Sequence, residues 1–206
     1  MSLLPPKAVL FDLGGVLVDW DPARVYRQIF AGDEAKVRWF LDTVCTDAWN
    51  TQQDAGRSVA EATDLLVREH PQWEAEIRAF YGRWPEMVGG PVPGTAELIR
   101  ELHAAQVPLF ALSNWSTETF PHVQPDFPEL SLFRRIFLSG HLRLVKPDPA
   151  YYRTVLREIG LPPERLVFID DNADNVAGAI AVGLPAIRFR SADQARQHLR
   201  NLGLPC

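Results

Sequence analysis

The sequence predicts an α/β fold, a doubly wound parallel sheet with an all-helical insert placed early in the chain. Three observations predict it. Five short apolar runs, at residues 8–11, 107–112, 135–138, 166–169 and 186–189, are apolar on consecutive positions. Strands covered on both faces read this way, whereas a half-exposed strand alternates. The later runs are separated by helical patterns, and that alternation calls for crossovers onto a parallel sheet. Residues 21–86, by contrast, hold no convincing strand.

Taken in order, the first run, "AVLF", ends at Asp12, and Gly14 and Gly15 follow almost at once. Glycines there let the chain leave a strand in a tight turn. Next come "DPARVYRQIF", "DEAKVRWFLDTVC", "SVAEATDLLVREH" and "EAEIRAFYGRW", all amphipathic at helical spacing. Aspartate or serine stands near several of their starts, where a side-chain oxygen can take the free N–H groups. The turn formers of "GGPVPG", residues 89–94, mark the return to the sheet. Residues 95–105 place Ala96, Leu98, Ile99 and Leu102 on one stripe, and 149–159 and 175–182 behave likewise. Pro108 has no N–H to give a ladder and weakens the start of the second strand. The expected division is a core of residues 1–20 and 88–206 around a helical cap of residues 21–87.

A chain of 206 residues, 47% hydrophobic and 23% charged, can bury a core of ordinary size. Its net charge of −5 is spread among interspersed acids and bases. No basic face recommends nucleic acid or an anionic membrane. Cys45 and Cys206 make neither a disulfide framework nor a zinc spacing. With no signal peptide and no apolar run of membrane-spanning length, the expectation is a cytoplasmic protein, monomer or homodimer, acting on a small molecule.

In a doubly wound sheet, ligands bind beyond the carboxyl ends of the strands. Those ends carry Asp12, then Ser113-Asn114, then Asp170-Asp171 with Asn172; "SGHLRLVKPDP" places Lys146 in a loop leading to a helix. Each residue alone reads as a turn or cap former or a solvated side chain. Together they bring three acids, a hydroxyl and an ammonium to one edge of one sheet.

The ordered set "FDLGGVL", "LSN", "KPDPAYY" and "FIDDNADN" resembles the four motifs of the haloacid dehalogenase superfamily. The helical insert resembles the cap of its first capped subfamily, and "DLGGV" with "DDNADN" is most similar to a group that includes sugar-1-phosphate phosphatases. The resemblance implies a Rossmannoid core and a Mg²⁺-dependent phosphatase that passes through an aspartyl-phosphate on Asp12. It implies metal binding by Asp12, Asp171 and the Gly14 carbonyl, with Asp170 acting through water. Ser113, the Asn114 amide and Lys146 would hold the phosphoryl oxygens. The charges agree with a metal. Without one, a dianionic phosphate meets three acids against one lysine, and two like charges at 4 Å repel by about 4 kcal/mol at an effective dielectric near 20. A hard divalent cation with oxygen ligands removes the conflict.

The sequence departs from the commoner pattern at Gly14, where many phosphatases of the superfamily carry an acid–base aspartate. Asp19 and Asp21 lie nearby in sequence and are candidates to reach back. A leaving group of low pKa, such as an anomeric oxygen, suffers less from the loss. Two other readings remain open: a 2-haloacid dehalogenase, and a weakly catalytic binding or regulatory protein on the same fold. In the insert, "TDAWNTQQDAGRSV" sets Trp49, Gln52, Gln53 and Asp54 between helices, residues suited to a sugar-binding rim or to packing. Trp20 lies just past the first motif.

Overall fold

The computed structural model describes residues 6–206. In chain order the elements are β1 (Ala8–Phe11), β2 (Val18–Trp20), α1 (Ala23–Ile29), α2 (Glu34–Thr43), α3 (Asp47–Asp54), α4 (Val59–Glu69), α5 (Glu74–Gly82) and β3 (Val88–Pro91). They continue with α6 (Thr95–Ala104), β4 (Leu109–Ser113), α7 (Phe120–Val123), β5 (Arg135–Leu138), α8 (Ser139–Leu142), α9 (Pro149–Ile159), β6 (Leu166–Asp170), α10 (Ala173–Ala181), β7 (Ala186–Arg188) and α11 (Ala192–Asn201).

Five strands form a parallel sheet in the order β5-β4-β1-β6-β7. β1 is central, and the chain fills first one side of it and then the other. The crevice at the carboxyl end of β1 is therefore the switch point, where such sheets bind ligands. Successive side chains of a strand face opposite ways. Val9, Phe11, Val167 and Ile169 accordingly enter one apolar cluster, and Ala8, Leu10, Leu166 and Phe168 enter the other. Both faces are covered, which is why these strands read as continuous apolar runs.

The first cluster runs on into the helical insert through Tyr26, Phe40, Phe80 and Trp84. Tyr26 and Phe40 pack with ring centroids 4.8 Å apart. Burying one large apolar side chain is worth about 1.5–3 kcal/mol, so the shared core holds the insert against the sheet. Side chains begin the helices as expected: Asp33, Thr46 and Ser58 each accept an N–H three residues on.

Two predicted boundaries move. The second strand starts at Leu109 instead of residue 107, because Pro108 offers only its carbonyl, which accepts the Val9 N–H at 3.0 Å. The stretch predicted as a turn-rich junction is in part a strand: β3 pairs antiparallel with β2. The insert thus hangs from a two-stranded stem, and glycine-rich "VGGP" carries little strand signal of its own. No helix among the described residues is long and apolar enough to cross a membrane.

Candidate active site

Asp12 follows β1, Ser113 closes β4 and Asp170 closes β6, so three parallel strands deliver them to one edge. Lys146, in the loop before α9, reaches in between. Its Nζ lies 2.8 Å from Asp12 Oδ1 and 2.7 Å from Asp170 Oδ2, and all three side chains are buried. The Asn114 side chain fixes this lysine by its main chain: Oδ1 accepts the Lys146 N–H at 2.8 Å, and Nδ2 donates to the Lys146 carbonyl at 3.0 Å. Asp170 takes further hydrogen bonds from the Asn172 N–H and from Asn175 Nδ2. Asp171 is the next residue along and emerges at the surface.

One carboxylate oxygen from each of Asp12, Asp170 and Asp171 lies within 4.8 Å of the others. Burial pushes the Asp12 carboxyl up to about 8; Lys146 pulls against this, while Asp170 and Asp171 reinforce it. Burial works to lower the Lys146 pKa, but the Asp12 and Asp170 carboxylates outweigh it and hold the ammonium above its ordinary value. Three carboxylates around one ammonium leave the cluster short of positive charge. An all-oxygen donor set of this kind suits a hard divalent cation.

The two glycines after Asp12 prove unlike each other. Gly15 has φ 70°, and a Cβ there would collide with the Asp171 carboxylate. That position needs glycine. At Gly14 a Cβ would meet no atom within 4 Å, and φ is ordinary. The missing acid at position 14 is therefore no demand of the backbone.

Above this edge lies a cavity of about 70 Å³, lined by Gly14, Trp20, Asn50, Asp54, Trp84, Asn114 and Trp115. Trp20, Trp84 and Trp115 each hold a buried indole N–H with no acceptor among the described residues. Asp54, the last residue of α3, brings a buried carboxyl. Its own carbonyl accepts Ser139 Oγ–H at 2.6 Å, and that hydroxyl accepts the main-chain N–H of Trp115 at 2.8 Å. The insert is thereby tied to the strand ends at this point.

All seven site residues expected from the sequence (Asp12, Gly14, Ser113, Asn114, Lys146, Asp170 and Asp171) come to this edge. The two candidates to stand in for an acid at position 14, Asp19 and Asp21, do not. Asp19 pairs with Arg24 at 2.5 Å, and Asp21 caps α1 through the Ala23 N–H and pairs with Arg27 at 3.0 Å. The suggested sugar-binding rim also changes. Trp49 packs against Phe80 and Tyr81, and buried Gln53 bonds Trp49, Tyr81 and Arg57, so both serve packing. Of that stretch, only Asn50 and Asp54 reach the cavity, joined there by Trp20. Asn175, Asn50, Trp84 and Trp115 escaped the sequence reading. Asn175 alone left a signal, as the last residue of "DDNADN".

The haloacid dehalogenase-like hydrolase family matches this chain over residues 6–183. The chain is 26% identical to a sesquiterpene phosphatase from Aspergillus oryzae, over 95% of its own length and 96% of the phosphatase. It is also 26% identical to a drimenol cyclase from Aspergillus calidoustus over 95% of itself, yet spans only 36% of that longer protein. A crystal structure of a HAD family enzyme from Bacteroides thetaiotaomicron, in complex with magnesium, superposes with a TM-score of 0.70 at 25% identity. That alignment covers 95% of this chain and 98% of the other.

Proposed function

The chain belongs to the haloacid dehalogenase-like hydrolases, and we propose that it is a Mg²⁺-dependent phosphatase of a small phosphorylated metabolite. One observation carries the reading: three carboxylates and a buried ammonium meet at the switch point of the sheet. The likeness to a sesquiterpene phosphatase and to a magnesium-bound HAD enzyme supports it.

In this reading Asp12 is the nucleophile. Its Oδ1 is taken by the Leu13 N–H at 2.7 Å and by Lys146. Oδ2 is the oxygen left to attack phosphorus, forming an aspartyl-phosphate and expelling the alcohol. Asp12, Asp171 and the Gly14 carbonyl would hold Mg²⁺, with Asp170 behind them; the ion supplies positive charge against the phosphoryl oxygens. Lys146 neutralises those oxygens beside Asp12, and Ser113 and the Asn114 amide donate to them. Asp170 and Asn114 position the lysine.

The cavity supports an oxygen-bearing leaving group, as in a sugar phosphate. Buried indole N–H groups ordinarily find acceptors. The three residues that hold such N–H groups line one small space, and hydroxyl or ether oxygens on a compact substrate would offer acceptors.

The test is phosphate release from a panel of phosphorylated metabolites, with and without chelator. Release that needs Mg²⁺ supports the reading. Full activity in chelator, or chloride release from 2-chloropropionate, overturns it in favour of a dehalogenase.

A further inference from the structure

We propose that Asp54, carried by the helical insert, is the acid that protonates the leaving oxygen and the base that later activates water. The inference rests on the phosphatase reading above.

The departing oxygen of an unactivated phosphate ester needs a proton, and supplying it is worth about 10²–10⁴-fold. Position 14, beside the nucleophile, has no side chain to supply it. Asp19 and Asp21 are held by Arg24 and Arg27. Among the residues lining the cavity shared by Gly14 and Asn114, Asp54 is the one with a titratable side chain.

Its surroundings suit the task. Among the described residues no cation pairs with Asp54. The hydrogen bond its carboxyl accepts comes from a neutral group, Asn50 Nδ2 at 3.3 Å from Oδ2. Asn50 is itself held, its Oδ1 accepting the Tyr81 hydroxyl at 2.8 Å while that hydroxyl accepts Gln53 Nε2 at 3.0 Å. This run of hydrogen bonds orients the carboxyl and brings no charged group to it. Burial raises Asp54 to about 7; the Ser116 N–H and Lys146 pull against burial, and Asp47 adds to it. A group poised there gives and takes a proton near neutral pH.

The steps balance. As Asp12 Oδ2 bonds to phosphorus, the P–O bond to the alcohol breaks. Its electron pair stays on the leaving oxygen, which takes the proton of the Asp54 carboxyl. The Asp54 carboxylate then removes a proton from water as the water oxygen attacks the aspartyl-phosphate. The P–O bond to Asp12 breaks, its electron pair returns to the Asp12 carboxylate, and inorganic phosphate leaves. Asp54 ends protonated, as it began.

The alternative is that Asp54 only ties the insert to the sheet. D54N keeps the shape of the side chain and one oxygen but has no proton of suitable acidity. The experiment plots log kcat/KM against leaving-group pKa for a series of aryl and alkyl phosphates in saturating Mg²⁺. Wild type should give a shallow line. D54N should steepen it, losing about 10²-fold or more on alkyl phosphates and little on dinitrophenyl phosphate. With dinitrophenyl phosphate D54N should also show a burst, because the water step lacks its base. S139A, which releases the Asp54 carbonyl but leaves the carboxyl, should lower all substrates together. Should D54N not fold, D54S lacks the same acid and is read the same way. Parallel lines for wild type and the Asp54 variant overturn the proposal while leaving the phosphatase standing. Wild type that releases no phosphate in Mg²⁺ overturns both.

Discussion

At the strand ends the buried charges answer one another: Lys146 lies within 2.8 Å of both Asp12 and Asp170, and Asn175 and Asn172 complete the hydrogen bonding of Asp170. The cavity under the insert is lined by Trp20, Trp84 and Trp115, whose buried indole N–H groups have no acceptor among the described residues, and by Asp54, a buried carboxyl with no cation paired to it among them. Both regions are built from buried polar groups. The strand-end cluster is satisfied within the chain and differs only in being too negative. The cavity is unsatisfied, and leaving a buried donor unpaired costs about 1–3 kcal/mol. A satisfied cluster fixes chemistry common to many substrates, whereas unsatisfied groups wait for a particular one.

The contrast can be broken most severely at its nucleophile. D12N replaces the carboxylate with an amide, and turnover should fall to background while circular dichroism stays native. Activity above a few per cent of wild type would exclude the covalent route.

Stability should separate the two regions next. K146M leaves Asp12 and Asp170 buried without their cation. Breaking a buried pair in this way costs about 3–5 kcal/mol, read by urea unfolding, with Mg²⁺ restoring part of it. Loss of less than about 1 kcal/mol would mean that the lysine is not what balances these acids.

The metal arm is sharpened by D171N. Its effect should lie in the Mg²⁺ concentration giving half-maximal activity, raised by about 10-fold or more and overcome by excess metal. An unchanged Mg²⁺ requirement would remove Asp171 from the metal site.

The smallest effect belongs to the cavity. W84F keeps an aromatic ring and removes one N–H. For a substrate with an oxygen-rich leaving group, kcat/KM should fall by about 5-fold, the worth of one hydrogen bond of about 1 kcal/mol. Aryl phosphates should be spared. An equal loss on both classes would assign Trp84 to packing against Trp20 and Tyr81.

Local pattern determined much of this protein. Consecutive apolar residues specified buried parallel strands, and a parallel sheet puts whatever follows its strands on one edge. Asp12, Ser113, Lys146, Asp170 and Asp171 could therefore be gathered from sequence order alone. The same reasoning failed for Asp19 and Asp21, because nearness in sequence says nothing of the arginines of α1 that hold them, Arg24 and Arg27. It failed for Asp54 from the opposite side: its carbonyl meets Ser139, 85 residues on, through a contact made only when insert and sheet dock. Glycine turns gave a third lesson, since "GG" reads alike at both positions while only Gly15 is pressed against Asp171. What tertiary structure alone decided was which polar groups remain without partners. Hydrogen bonds across the seam between insert and sheet depend on how two separately patterned layers pack, and no periodicity within either layer records that.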